Sequence, residues 1–278
     1  MDYTAMFPWA RKDLLKEVSV YSSFSLLEEF RNSFSRGEES FIETQACYEG
    51  EPVCNDEGGD PQGPFCFFYE TCFTRLGLRL PLDPFEKEIL TELNASPTQL
   101  HPNSWAFVRA FRILFYYPGF TPTLNIFFYF FEFKTSPRKL WTSLNSVGGR
   151  GLLSLFQSSY KNFKGHFIKV RPSTEVPSLL EGLPLYWASK PRPQPTRRSE
   201  ILTPYERGIC NFLEGLGVMF ETPKILKREH QLSDLKTYLG IALIFLFVLF
   251  FFWFDFLLVE SWIGPSIESD KNAQAHLC

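Results

Sequence analysis

The chain has little of what catalysis or metal binding usually requires. It has four histidines in 278 residues, and its six cysteines (Cys47, Cys54, Cys66, Cys72, Cys210 and Cys278) include no Cys-x-x-Cys pair. A zinc site needs four ligands at close, regular spacing. A Cys/His zinc knuckle is therefore excluded, and the cysteines read as free thiols in a reducing compartment. No Asp-Thr/Ser-Gly motif, paired aspartates, Gly-x-Ser-x-Gly elbow or His-Glu-x-x-His motif occurs. The loop Gly148-Gly149-Arg150-Gly151 lacks the Lys-Ser/Thr that completes a phosphate-binding loop, and reads as a hairpin connection. The first eighteen residues contain no apolar core of a secretory signal. The expectation is a non-enzymatic protein with no cofactor, no bound metal and no evident small-molecule substrate.

The isolated candidates for chemistry have plainer readings. His101 has a proline after it and no carboxylate or cysteine close in sequence, so it reads as a capping or packing residue rather than a base. His166 sits in a basic stretch and suits a surface role. Integrase-like chemistry would gather three acids on a metal. Between Pro81 and Tyr160 the acids are Asp83, Glu86, Glu88, Glu92 and Glu132, four of them on one helix, where solvated-face and N-terminal dipole roles explain them.

What the chain does have is phenylalanine and an uneven charge. Phe accounts for 31 residues, and aromatics for 17%. Residues 1–64 carry thirteen acids and five bases, whereas residues 134–200 carry twelve bases and three acids. Two readings follow. In one, the basic segment complements the acidic arm within the same protein. In the other, Lys161, Phe163, Lys164, Phe167, Lys169, Arg171, Arg197 and Arg198 form a surface for single-stranded nucleic acid, with Phe163 and Phe167 stacking bases between the charges.

Leu80–Tyr117 holds two helix patterns joined by a polar turn. Asp83 is a suitable N-cap and Pro84 is tolerated in a first turn. Phe85, Ile89 and Leu93 then make one apolar face, and Asn94-Ala95-Ser96-Pro97 ends it. A second helix begins at Asn103 or Ser104. It buries Phe107, Val108, Phe111, Leu114 and Phe115, and places Arg109, Arg112 and Tyr116 on the other side. Residues 10–34 read as one or two amphipathic helices, and residues 35–63 as an acidic loop or disordered insert. Pro64–Arg75 is a helix or a strand. Pro122–Lys134 is a buried helix, with a strand as the alternative, and Leu140–Ser143 and Phe163–Val170 are strand-like. A proline- and arginine-rich linker at 184–204 is expected to be extended. A helix follows from Thr203 to about Gly217, with Ile209, Phe212 and Leu213 inward.

One part of this organisation resembles a known family. Gly77-Leu78-Arg79-Leu80-Pro81-Leu82-Asp83-Pro84-Phe85, followed by Gln99-Leu100-His101-Pro102-Asn103-Ser104-Trp105, is similar to the plant gypsy-type transposon (retroelement-derived) protein family. Tyr160-Lys161-Asn162-Phe163-Lys164-Gly165-His166-Phe167 and Leu185-Tyr186-Trp187 resemble later blocks of that family. The likeness spans roughly Tyr21–Leu216 and is strongest over Leu76–Phe115. It implies a retroelement origin, and neither an activity nor site residues.

Tyr238–Phe254 is seventeen residues without a charge, and extension to Val259 gives twenty-two. At about 1.5 Å per residue this reaches roughly 33 Å, enough to span a bilayer. Lys224, Lys227, Arg228 and Lys236 precede the run, which places the N-terminal bulk in the cytoplasm. The expected architecture is therefore an α+β, mainly helical globular domain at 64–183 with a small β hairpin or sheet. The linker, a helical segment at 205–236, one transmembrane helix at Tyr238 to Val259 and a short tail at 261–278 complete it. The lipid bilayer is the first expected partner and single-stranded nucleic acid the second. Phe- and Leu-rich runs also arise when pyrimidine-rich non-coding DNA is read as protein, so residues from about Val218 onward read as foreign to the ancestral domain. In that case the location would be the nucleus or cytoplasm.

Overall fold

The computed structural model describes residues 3–34, 42–54, 60, 62–116, 119–136, 139–154, 160–174, 177–192 and 196–228. In chain order the helices are α1 (Tyr3–Met6), α2 (Phe24–Phe34), α3 (Glu70–Thr74), α4 (Pro84–Leu93), α5 (Pro102–Tyr116), α6 (Leu124–Phe130), α7 (Pro204–Gly215) and α8 (Thr222–Arg228). The strands are β1 (Ile42–Gln45), β2 (Cys66–Tyr69), β3 (Phe131–Ser136), β4 (Lys139–Ser146), β5 (Leu153–Ser154), β6 (Phe167–Pro172) and β7 (Phe220–Glu221).

Local chemistry accounts for the helix starts. Asp83 caps α4 by accepting the Phe85 N–H at 3.0 Å, and the Glu86 carboxylate reaches back to the Asp83 N–H. Asn94 ends α4 in the left-handed conformation. α5 begins one residue before the expected position. Pro102 takes its first turn, and the His101 ring supplies the cap by accepting the Asn103 N–H on Nδ1 at 3.1 Å. α7 repeats the capping box with Thr203 and Glu206.

α5 is the hub of the core. Trp105, Phe107, Val108, Phe111, Leu114 and Phe115 are all buried. Phe111 stacks on Phe85 of α4 at 5.5 Å and stands edge-on to Phe127 of α6 at 5.1 Å. Burial of this amount of aromatic surface is the main stabilising term.

Three small sheets surround the helices. β1, β6 and β2 lie in that order, all antiparallel, with Thr44 opposite Val170 and Phe67 opposite Lys169. β6 is buried from Phe167 to Arg171, so both faces of the central strand are covered. β3 and β4 form an antiparallel hairpin, and β5 pairs in parallel with β7.

Where periodicity left helix and strand open, the chain uses both in turn. Residues 66–74 form β2 and then α3, and residues 124–136 form α6 and then β3. Phe131 is the junction: its backbone is extended, yet its N–H still bonds the Phe127 carbonyl of the helix. Of the one or two amphipathic helices expected over 10–34, α2 is the one that forms, while residues 12–16 form turns and Val18 bridges Pro52. The proline-rich segment is not a free linker. Trp187 and Leu202 are buried, and backbone bonds tie Arg192 N–H to Leu93 and Arg197 N–H to Phe128.

The membrane part of the expected fold and the single-pass location are corrected. Among the described residues no helix is long and apolar enough to cross a membrane. α5, with 15 residues, spans only about 22 Å against a hydrocarbon core of roughly 30 Å, and it carries Arg109 in its middle. The run Tyr238–Val259 lies outside the described residues. The fold class is α+β globular.

Candidate functional site: the signature hub and the basic-aromatic face

The run Gln99–Trp105 is a junction box in which nearly every polar group holds a different piece of chain. The Gln99 side chain is fully buried; its Nε2 donates to the Ala188 carbonyl at 2.7 Å and its Oε1 accepts the Ala188 N–H at 3.0 Å. Thr142 of β4 donates its N–H and its hydroxyl to the Gln99 carbonyl, and its own carbonyl accepts the His101 N–H. Ser104 Oγ accepts the Leu144 N–H at 2.8 Å, and Trp105 Nε1 donates to the Pro97 carbonyl at 2.8 Å. Asn103 Oδ1 accepts the Tyr160 N–H at 3.2 Å, and Trp187 Nε1 donates to Thr98 Oγ1 at 2.9 Å. The stretch Thr98–Asn103 is thus hydrogen-bonded both to Tyr160 of the second block and to Trp187 of the third.

Phe163 anchors the second block. Its ring meets Tyr69 at 4.8 Å, His101 at 5.0 Å and Trp141 at 6.4 Å, all edge-to-face. Asn162, at positive φ, makes the turn that drives Phe163 inward while Lys161 and Lys164 stay exposed. Lys164 lies over the Trp141 ring at 4.7 Å and pairs with Glu17 at 2.8 Å. Trp141 is half-buried, with its Nε1–H fixed on the Tyr69 hydroxyl at 2.8 Å. On the other side of the same turn, Arg75 lies over the half-buried Tyr160 ring at 6.0 Å.

The eight residues expected to form a nucleic-acid surface are divided between inside and outside. Phe163 and Phe167 are core residues. Lys169 is 0% exposed; its ammonium pairs with Glu51 at 2.8 Å and Asp60 at 3.0 Å, and it lies 4.3 Å from the Tyr48 ring and 4.4 Å from the Phe65 ring. Arg171 is buried beside it, with Asp60 at 2.5 Å and the Gly63 carbonyl at 2.7 Å. Arg197 is half-buried and meets Glu92 at 3.4 Å. Lys161, Lys164 and Arg198 remain exposed. The acidic N-terminal segment therefore meets the basic segment: Glu51 and Asp60 face Lys169 and Arg171 in the interior, and Glu17 faces Lys164 at the surface. Burial opposes ionisation of Asp60, but the Gln62 N–H and the two cations outweigh it and hold the carboxyl below its usual range.

Two buried charges escaped the sequence reading. Arg109, assigned to the outer side of its helix, is 1% exposed; it donates to Glu86 at 3.0 Å and to the carbonyls of Leu76 and Gly77. Glu86, read as solvated, is also 1% exposed, and burial pushes its carboxyl up. The Asp-x-x-Glu spacing after Pro81 was the available signal, because it marks a capping box whose glutamate turns back toward the chain.

Cys47, Cys54, Cys66, Cys72 and Cys210 are buried free thiols. Burial pushes the Cys47 thiol up to about 12 and raises that of Cys66 and Cys72 as well. Among the described residues no group of three or more His, Cys, Asp or Glu side chains could hold a metal ion. Arg150 of the glycine-rich loop lies on the Tyr129 ring at 4.0 Å and donates to the Tyr129 and Arg197 carbonyls, so the loop is held down by its own arginine.

Residues 67–135 match the family model described as "putative gypsy type transposon". Over that quarter of the chain the protein is similar to gypsy-type transposon proteins. The match contains Leu76–Phe115, where the sequence resemblance is strongest, and so includes the Gln99–Trp105 junction. The blocks at Tyr160–Phe167 and Leu185–Trp187 lie outside it but are joined to it by the bonds above. Comparison with curated proteins and with solved structures gives no match. In this transposon-like protein the family signature holds the fold together.

Proposed function

We propose that this retroelement-derived chain is a non-enzymatic binding module that takes up single-stranded nucleic acid on the basic surface of segment 134–200. One observation carries the reading. The buried bases of the segment, Lys169 and Arg171, are neutralised internally, while Lys161, Lys164, Lys190, Arg192 and Arg198 are exposed. Solvent-facing cations are what a phosphate backbone requires. The non-enzymatic part is supported by the carboxylates near the signature: Asp83 and Glu86 face Arg112 and Arg109, and Glu92 faces Arg197.

The test is fluorescence anisotropy of labelled single-stranded RNA and DNA titrated with the full chain. With about three phosphate contacts the salt slope is roughly −2, so affinity should fall about 20-fold between about 50 mM and 200 mM salt. Absence of binding at the lower salt would reject the proposal.

A further inference from the structure

We infer that the nucleic-acid strand is taken up at one platform, formed by Arg75, Tyr160, Lys161, Trp141 and Lys164, beside the signature hub. The inference rests on the proposed function and deepens it by assigning the site. Two half-buried aromatic rings meet the turn at 160–164, and each has a cation over it: Tyr160, on the turn, has Arg75 at 6.0 Å, and Trp141, on β4, has Lys164 of the turn at 4.7 Å. Lys161 stands exposed on the same turn, between Tyr160 and Lys164.

The platform is rigid where stacking demands rigidity. The Tyr160 backbone is bonded to Asn103 at the start of α5. The Trp141 ring is fixed by its bond to Tyr69, by Phe163 and by Trp187, which stands edge-on at 5.6 Å. Its cations sit on flexible stems. The ammonium over Trp141 can move onto a phosphate while a base takes its place on the ring, so each charge–ring pair provides both elements of single-strand recognition. This arrangement shifts the stacking role from Phe163 and Phe167, which are core residues, to Trp141 and Tyr160. The charge that opposes binding is Glu17, 2.8 Å from Lys164.

That opposition gives the test two signs. In the anisotropy titration with the full chain, the Arg75→Ala/Lys161→Ala variant should bind several-fold more weakly and show a smaller salt slope. Glu17→Gln should bind several-fold more tightly, because it releases Lys164. Both changes are at surface charges, and far-UV circular dichroism checks that the fold is intact. The Lys12→Ala/Lys227→Ala variant removes two exposed bases outside segment 134–200 and should bind like wild type. If wild type binds but the Arg75/Lys161 variant binds equally well, or the Lys12/Lys227 variant loses as much, the platform assignment is overturned and the proposed function stands. If wild type does not bind at all, both fall together.

Discussion

The Glu86–Arg109 pair gives the sharpest energetic test of this fold. Both side chains are at most 2% exposed, and they meet at 3.0 Å between the first turn of α4 and the middle of α5. Removing one member leaves the other charged and buried. Glu86→Ala should therefore cost about 3–5 kcal/mol, well above an ordinary surface substitution. Arg109→Met should cost a similar amount for a different reason. Glu86 keeps a neighbour in Arg112, 3.3 Å away, but the carbonyls of Leu76 and Gly77 lose their donor, at about 1–3 kcal/mol each where they stay dry. The double variant leaves neither charge stranded, so it should be less destabilised than the sum of the singles by about 2–3 kcal/mol. Urea denaturation of the full chain and its three variants, followed by circular dichroism, measures the cycle. A Glu86→Ala cost below about 1 kcal/mol, or strict additivity, would refute the claim that this pair is a dry, mutually dependent interaction.

Three further predictions follow from the same contacts. Gln99→Leu should cost about 1–3 kcal/mol, because the Ala188 N–H and carbonyl lose both partners; hydrogen exchange at the Ala188 amide should then speed up, and an unchanged exchange rate would argue against the clamp. Asp60 titrates below its unfolded value of about 3.9. The stability it contributes is therefore present above about pH 4 and lost as pH falls through the folded value, and Asp60→Asn should flatten the stability profile in that acid range when unfolding is measured at successive pH values. Cys47, Cys66, Cys72 and Cys210 are buried and their thiols are raised by burial. Iodoacetamide should leave them unmodified in the native chain and label them only after urea is added, as read by peptide mass spectrometry.

The parts legible in sequence were those set by local chemistry. The Asp83-Pro84 start of α4, the Thr203-Pro204 start of α7 and the apolar face of α5 follow from capping and period, which need no knowledge of partners. The helix-or-strand doubt at residues 66–74 and 124–136 had a physical source: the apolar stretches Cys66–Tyr69 and Ile126–Phe131 are buried at every position, so no polar face reports the period there, and both runs change conformation partway. The candidate site was half legible. The basic-aromatic block was visible, but not which way each side chain turned, because that depends on the left-handed turn at Asn162 and on the pocket that receives Phe163. Arg109 was placed outside for the same reason. Helical spacing gives a direction, whereas the acid that makes burial tolerable lies on another helix, 23 residues away.

The bonding pattern also defines the unit that must fold together. The matched family segment, residues 67–135, contains β2 and α3 to α6 but not β6, the central strand between β1 and β2. It contains Gln99 but not Ala188, Asn103 but not Tyr160, and Thr98 but not Trp187. Excised alone, it would expose the β2 edge and leave the buried Gln99 amide without its partners, both of which are costly. The blocks at 160–167 and 185–187 are therefore required by the signature rather than appended to it. A chain that keeps Gln99–Trp105 must keep something that fills the same three positions. This makes the hub a framework whose outer turn, at Tyr160–Lys164, is where surface charge can vary without disturbing the bonds beneath it.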